Sequence, residues 1–363
     1  MKRFLAILLI ICSLFSLAAC KDKTGAPDSG KGGSTKKEYE TKSKTISTVY
    51  FNTVSSIIAC GETDVANLEK YATIADEVLK YYHELFDIYF EYSGKNNIRT
   101  INRNAGKSAV TVDAEMIDFL EYCKELYTKT NGKTNVMLGS VLKLWHECRE
   151  DAMGDFGYLD PADLPTSSEL ETANQYTSMD MLVIDREASS VYITHKKASI
   201  DVGAIAKGYA VDKLVNRLKA EGATSVALNI GGNIRTIGLK PDGEKWVSGI
   251  TNPDKSSDES LFCRVRIGAS SIVTSGDYER FFYAGNTKYH HIIDPVTLQP
   301  ARYFSAISII TESSALGDAL STALFCMSYE EGLALVNSIG GVEVIWVDLN
   351  YNVTSTPGID FVE

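Results

Sequence analysis

Between Ala198 and Leu218 the spacing of apolar residues changes period, and that change constrains the fold more than any other stretch. Ala198, Ile200 and Val202 alternate as a strand does, whereas after Ile205 the positions Val211, Leu214, Val215 and Leu218 recur at helical spacing, with Gly222 where a C-cap belongs. The segment DVGAIAKGYAVD, Asp201 to Asp212, is thus read as a strand end that turns at Gly203 into a helix. A helix start leaves N–H groups unpaired, and with Lys207 one turn in, the place suits a phosphate or pyrophosphate. An ordinary strand–helix junction carries the same pattern, so other segments must decide between the two.

Around this junction, strand pairs alternate with helices, which predicts an α+β fold with layered mixed or antiparallel sheets and packed helices, not a doubly wound parallel sheet. Val49 to Ala59 reads as a strand, Asp64 to Tyr92 as one long helix with Tyr71, Leu79, Tyr82, Leu85 and Phe86 on its core face, and Asp113 to Thr130 as a second helix. Asn96 to Asn104 reads as irregular, and Glu147 to Ser178 as loop with at most a short helix. Met181 to Ile184 and Val191 to Thr194 form a hairpin. Strands follow at Ser225 to Ile230, Ile234 to Leu239, Trp246 to Ile250, Phe262 to Ile267 and Ser271 to Thr274, and a further pair turns at Ala284–Gly285–Asn286. Thr311 to Ser328 closes the series as a helix capped by Ser313 or Ser314.

The N-terminus sets the compartment. Lys2 and Arg3 precede an apolar run, Phe4 to Leu17, that is short for a membrane span and ends in LAAC, Leu17 to Cys20. This resembles the leader of bacterial lipoproteins, in which residues 1–19 are removed and Cys20 carries the lipid. Residues 20–45, rich in Lys, Gly, Ser and Thr, read as a flexible tether, and residues 46–363 as the folded domain. The formal net charge of −11 becomes two units more negative once Lys2 and Arg3 leave, which argues against a nucleic-acid partner. Cys60, Cys123, Cys148, Cys263 and Cys326 remain, an odd number without metal spacing, so buried thiols are expected and no disulfide framework.

Two small constellations carry chemistry. Asp318 and Thr322 stand at i and i+4 in SALGDALSTALF, a stretch with no other charge, and an oxygen-only pair there suits a hard cation such as Mg²⁺. A surface helix with a hydrated Asp is the alternative. His290 and His291 precede IIDP; in an extended segment they face opposite ways, so only one addresses a given site. Either is a structural histidine or a base for a hydroxyl nucleophile.

In order along the chain, LAAC, the FNT of Phe51 to Thr53, DVGAIAKGYAVD, the NIGGNI of Asn229 to Ile234, the TSGDYERFF of Thr274 to Phe282, HHIIDP and the GDALSTALF of Gly317 to Phe325 resemble the ApbE family of FAD:protein FMN transferases. The resemblance implies a T-fold-related architecture and transfer of FMN from FAD, through its phosphate, onto a Ser or Thr of an acceptor protein, with AMP leaving. It implies Mg²⁺ or Mn²⁺ held by Asp318, Thr322 and the Ala204 carbonyl, and FAD contacts at Asp201, Lys207 and Lys133, Thr134 and Asn135. It further implies Tyr89 and Phe51 on the flavin side, Ile292 as a backbone contact, and His291 as catalytic base; if neither histidine serves, the base is a carboxylate such as Asp294 or Asp277. Where many relatives carry an Asp and a Thr-Val-Gly-Pro pattern, this chain reads Asn135 to Ser140, NVMLGS. The resemblance also implies an extracytoplasmic enzyme anchored to the cell membrane through Cys20, with a membrane-attached acceptor. Two other readings stay open: a Mg²⁺-dependent FAD pyrophosphatase giving FMN and AMP, and a non-enzymatic FAD-binding lipoprotein.

Overall fold

Strands whose side chains alternate between two apolar surroundings build the centre of the structure, a computed structural model that describes residues 39–362. The first half contains β1 (Thr41–Ser47), β2 (Ser55–Cys60), α1 (Glu62–Ala66), α2 (Leu68–Phe86), α3 (Ile98–Arg103), β3 (Val110–Thr111) and α4 (Ala114–Lys129). Then come α5 (Gly139–Gly154), β4 (Tyr158–Leu159), α6 (Ser167–Asn174), β5 (Leu182–Asp185), β6 (Ser190–Ile193) and α7 (Ala206–Ala220). The second half contains β7 (Val226–Ile230), β8 (Asn233–Ile237), β9 (Trp246–Thr251), β10 (Leu261–Ile267), β11 (Ser271–Gly276), β12 (Phe281–Ala284) and β13 (Thr287–His290). It ends with β14 (Phe304–Thr311), α8 (Ser314–Phe325), α9 (Tyr329–Ile339), β15 (Glu343–Asp348) and β16 (Val353–Ser355).

Eight strands form one sheet in the order β1-β2-β7-β8-β11-β14-β15-β16, every neighbouring pair antiparallel. Period-two alternation gives each face its own core. Ile57 joins the apolar cluster under α2, α4 and α7, while its neighbour Ile58 joins a second cluster with Trp246, Ile250 and Val265 of the β9–β10 hairpin. Likewise Ile307 and Ile309 pack under α8 and α9, and Ile310 faces the hairpin. A separate three-stranded sheet, β13-β12-β4, packs with α5 and α6 around Trp145, Phe282 and Ile293. The architecture is α+β as the pattern implied. Among the described residues no helix is long and apolar enough to cross a membrane.

Several local readings differ, each for a visible reason. The ordered sheet begins at Thr41, inside the stretch read as tether up to residue 45, because β1 pairs Thr41 with Cys60 and Thr45 with Ser56 through the backbone. The leader, residues 1–19, and Cys20 lie outside the described residues. Val49 to Ala59 is not one strand. Phe51 and Asn52 adopt φ of 53° and 55° in a short 3₁₀ turn before β2. The long helix stops at Phe86, since Asp87 Oδ1 accepts the N–H groups of Tyr89 and Phe90 and turns the chain. Asn96 to Asn104 holds α3, capped by Asn97, which accepts Thr100 N at 3.0 Å. Ala198 to Val202 joins no sheet. Asn102 takes the place of a neighbouring strand, accepting Ile200 N at 2.7 Å and donating to Ile200 O at 2.8 Å. The segment after Glu147 is more helical than its charge suggested, with α5 running to Gly154 and α6 opening on a Thr166–Glu169 capping box. All five described cysteines are free thiols, four of them buried.

Candidate active site

Helices α7 and α8 cross where α7 leaves no room for a side chain, since a Cβ on Gly208 would run into the Ser314 carbonyl; on its other side α8 lies as close to the sheet, where a Cβ on Gly317 would run into Val273 of β11. Asp212, the last residue of the period-change motif, fastens the crossing by accepting from Ser313 Oγ at 2.7 Å, Ser314 N at 2.8 Å and Ala315 N at 3.0 Å. That satisfies orphan donors at the start of α8. The close approach brings Asp318 against the first turn of α7. Gly208 donates its N–H to Asp318 Oδ2 at 2.5 Å, and Asn233 Nδ2 donates to Asp318 Oδ1 at 2.9 Å. With its N–H turned to Asp318, Gly208 does not bond the Ala204 carbonyl, its partner in a regular helix.

Burial pushes the Asp318 carboxyl above its ordinary range, and Lys207, Asn233 and the Gly208 N–H pull it back down. A buried carboxylate so placed calls for more positive charge. The residues fit a hard cation on this chain's own atoms: the Asp318 carboxylate, the Ala204 carbonyl without its helix bond, Thr322 one turn along α8, and Asn233 Oδ1, which is buried with no hydrogen-bond partner. No group of three or more His, Cys, Asp or Glu side chains able to hold a metal occurs among the described residues. A cation here would therefore rest on mixed carboxylate, hydroxyl and carbonyl oxygens, as Mg²⁺ tolerates. Lys207 Nζ donates to Gly231 O at 3.2 Å, and Gly231 in turn packs against Thr53, where a Cβ would collide with the threonine side chain. The FNT, glycine-turn and period-change segments thus meet at one place.

The Lys133 to Asn135 segment is the fastener of the site. Lys133 pairs with buried Asp294 at 3.0 Å, Thr134 Oγ1 donates to Ala319 O of α8 at 2.7 Å, and Val136 O accepts Asp201 N at 2.8 Å. Thr134 is buried, and Asn135 spends its side chain on Met137 N and Thr177 O. These two residues, expected at the dinucleotide, have polar side-chain groups already engaged within the chain. Ile292, expected as a backbone contact, has its backbone engaged within the chain: its N–H goes to His290 Nδ1 and its carbonyl accepts Ala301 N. Asp201 accepts Gly203 N at 2.9 Å, shaping the turn into α7. Tyr89 lies half-exposed beyond α2, its phenol pushed up by burial and then by Asp201. Phe51 sits edge-on to His83 at 5.8 Å.

The two adjacent histidines line the same cleft, so the expectation that they address different sites is not met: β13 ends at His290, and His291 lies past the strand. His290 is buried against Phe325; its Nε2 bonds Ala301 O at 2.7 Å and its Nδ1 accepts Ile292 N at 3.2 Å, which fixes a neutral tautomer. Burial pulls its pKa down to about 4. His291 faces a cleft lined by His146, Arg149, Arg280 and Tyr289, and its enclosed Nδ1 has no partner. Burial first, then Arg280, His290 and Arg149, hold it well below the ordinary histidine range. The alternative bases are occupied: Asp294 by Lys133, and Asp277 by Lys288 at 2.7 Å.

Sequence reasoning passed over Asp212, Asn233, Arg149, Arg280 and His146. Asn233 lay inside the NIGGNI motif already singled out, and Arg280 inside TSGDYERFF, so motif membership was the available signal. Nothing local marked Arg149 or His146, which reach the cleft from the middle of α5.

An antiparallel sheet backed by α7 and α8, with oxygen atoms gathered at their crossing, defines an α+β protein with a candidate hard-cation site. The chain belongs to the ApbE family, whose sequence model matches residues 50–346. It is 32% identical over 278 residues to the FAD:protein FMN transferase of Treponema pallidum, covering 72% of this chain and 73% of that protein. It is 26% identical over 286 residues to that of Klebsiella pneumoniae, covering 78% and 84%. Among solved structures, the ApbE protein of Thermotoga maritima superposes with a TM-score of 0.74 at 26% identity, covering 88% of this chain and 97% of the other. The flavin transferase ApbE of Vibrio cholerae shares the fold, with a TM-score of 0.71 at 23% identity and coverage of 88% and 97%.

Proposed function

We propose that this chain is an FAD:protein FMN transferase that moves FMN from FAD onto a Ser or Thr hydroxyl of an acceptor protein and releases AMP. The observation that carries the reading is buried Asp318, held between the Gly208 N–H and Asn233 beside Lys207 at the start of α7. Pyrophosphate of the dinucleotide would lie against the first turn of α7, where Lys207 offsets its charge. Asp318, Thr322 and the Ala204 carbonyl would hold Mg²⁺, which supplies charge neutralisation on the phosphoryl oxygens.

His291 takes the proton from the acceptor hydroxyl. The freed oxygen forms the new bond to the FMN phosphorus as the bond to the AMP phosphate breaks, and AMP leaves with that electron pair. His290, with both ring nitrogens engaged, holds the backbone that presents His291. Tyr89 and Phe51 flank the flavin side. We further propose that Cys20 is lipidated after removal of residues 1–19 and that the enzyme works outside the cytoplasm on a membrane-attached acceptor; the LAAC leader supports this. The function is tested by incubating the chain with FAD, Mg²⁺ and an acceptor of a related transferase, then running a denaturing gel. Flavin fluorescence should stay with the acceptor band and vanish when Mg²⁺ is chelated; fluorescence only at the dye front would refute transfer.

A further inference from the structure

Two guanidinium groups converge on the cleft that His291 faces. Arg149 comes from α5 and Arg280 from the turn before β12, and neither side chain forms an ion pair or hydrogen bond with any described residue. Arg149 is half-buried and Arg280 exposed; burial and then Arg280 work against the charge on Arg149, and Tyr89, Glu150 and Asp201 offset this without forming an ion pair with it. The enclosed space is about 10 Å³, room for about one water-sized atom and far below the ~300–1,000 Å³ of sites that enclose a whole small molecule, and Trp145, Phe282 and Tyr289 share in lining it. It admits one oxygen of an oxyanion whose remaining atoms stay outside on the exposed Arg280 side, where planar guanidinium forks can grip it, and not a dinucleotide.

We propose that Arg149 and Arg280 form an oxyanion subsite beside His291, filled during transfer by a phosphoryl oxygen of the dinucleotide or a carboxylate of the acceptor protein, and that filling it makes His291 a competent base. The acceptor half of this statement rests on the transferase reading; the subsite itself does not. The titratable groups around His291 in the cleft are Tyr289 and His290 on its own segment, His146 and Arg149 from α5, and Arg280, with Asp201 and Glu150 acting in turn on His146 and Arg149. Apart from the burial of the ring, the three strongest electrostatic influences on it are cationic or potentially cationic, and they disfavour the imidazolium that proton transfer creates. An anion between the arginines reverses that sign. The base then gains strength only when its substrates are in place, which restrains transfer to water.

The subsite is tested on the full chain with isotope-labelled histidine, following the His291 ring by NMR across a pH series, its signal assigned through His291→Asn. Sulfate should raise the proton affinity of His291 on the order of tenfold. In Arg149→Met/Arg280→Met that affinity should already be higher without sulfate, and sulfate should no longer move it. Arg280→Met alone, at an exposed position, should show half of this behaviour even if the double variant folds poorly. The source is read by replacing sulfate with FAD plus Mg²⁺, or with a Thr peptide carrying one Glu against its Gln counterpart; a response to either supports the subsite and names its occupant. A parent His291 indifferent to sulfate, FAD and peptide alike, or a double variant that responds as the parent does, would overturn the proposal. The NMR readout needs no turnover, so failure of FMN transfer in the same preparation would count against the function and not against the subsite.

Discussion

Acid should destabilise this fold through His290, and the size of the effect follows from its surroundings. The ring is buried, bonded at Nε2 to Ala301 O and at Nδ1 from Ile292 N, so a second proton would break the Nδ1 bond. Its pKa lies near 4 in the folded chain against 6.5 as the ordinary value. A histidine with a depressed folded pKa binds more protons unfolded than folded, so stability is full above the unfolded value and falls as pH drops from 6.5 through 4. Over about 2.5 pH units at about 1.4 kcal/mol each, the loss is about 3 kcal/mol. His290→Gln retains a donor and an acceptor but cannot titrate. It should cost about 1–2 kcal/mol near neutral pH and then lose about 3 kcal/mol less than the parent on acidification. Urea unfolding of both proteins from about pH 7.5 to about pH 4 reads the difference, since titrating groups remote from His290 contribute equally to each. Parallel stability curves would show that His290 is not held neutral by these contacts, and the structural role assigned to it would fail.

Asp318→Asn should abolish both Mg²⁺-dependent turnover and the rise in melting temperature that Mg²⁺ gives the parent, because it deletes the one carboxylate of the candidate cation site; an undiminished thermal response would place the cation elsewhere. Lys133→Met leaves Asp294 buried without its cation and should destabilise by ~3–5 kcal/mol, largely recovered by adding Asp294→Leu, as denaturant midpoints can show. His291→Asn should slow single-turnover transfer by ~10² to 10⁴ while FAD binding persists, with His290→Asn doing much less; equal rates for the two variants would remove His291 from the chemistry. Lys207→Met should weaken FAD binding and reduce its salt dependence, measured by flavin fluorescence across a salt series.

The elements legible in the sequence were those with sustained period and clear caps: α4, α7, α8 and the hairpin strands of the second half. Helix α8 and the pairing of Asp318 with Thr322 were visible because a single carboxylate in an apolar helix has few explanations. What escaped was set by side chains answering backbone groups far away in sequence. Asn102 replaces a strand beside Ile200, and Asp212 fastens α8 across a hundred residues. No local pattern encodes such bonds. The same reason hid Arg149 and His146, whose exposure toward the His291 cleft depends on how α5 packs against β12 and not on anything in α5 itself.

The central claim is that the phosphoryl group goes to a protein hydroxyl and not to water. The most direct measurement is the intact mass of an acceptor protein incubated with this chain, FAD and Mg²⁺, with AMP quantified in the same tube. Transfer predicts an acceptor heavier by one FMN less one water, with one AMP released for each flavin bound. An acceptor of unchanged mass, with free FMN and AMP in equal amounts, would make the enzyme a pyrophosphatase and contradict the account.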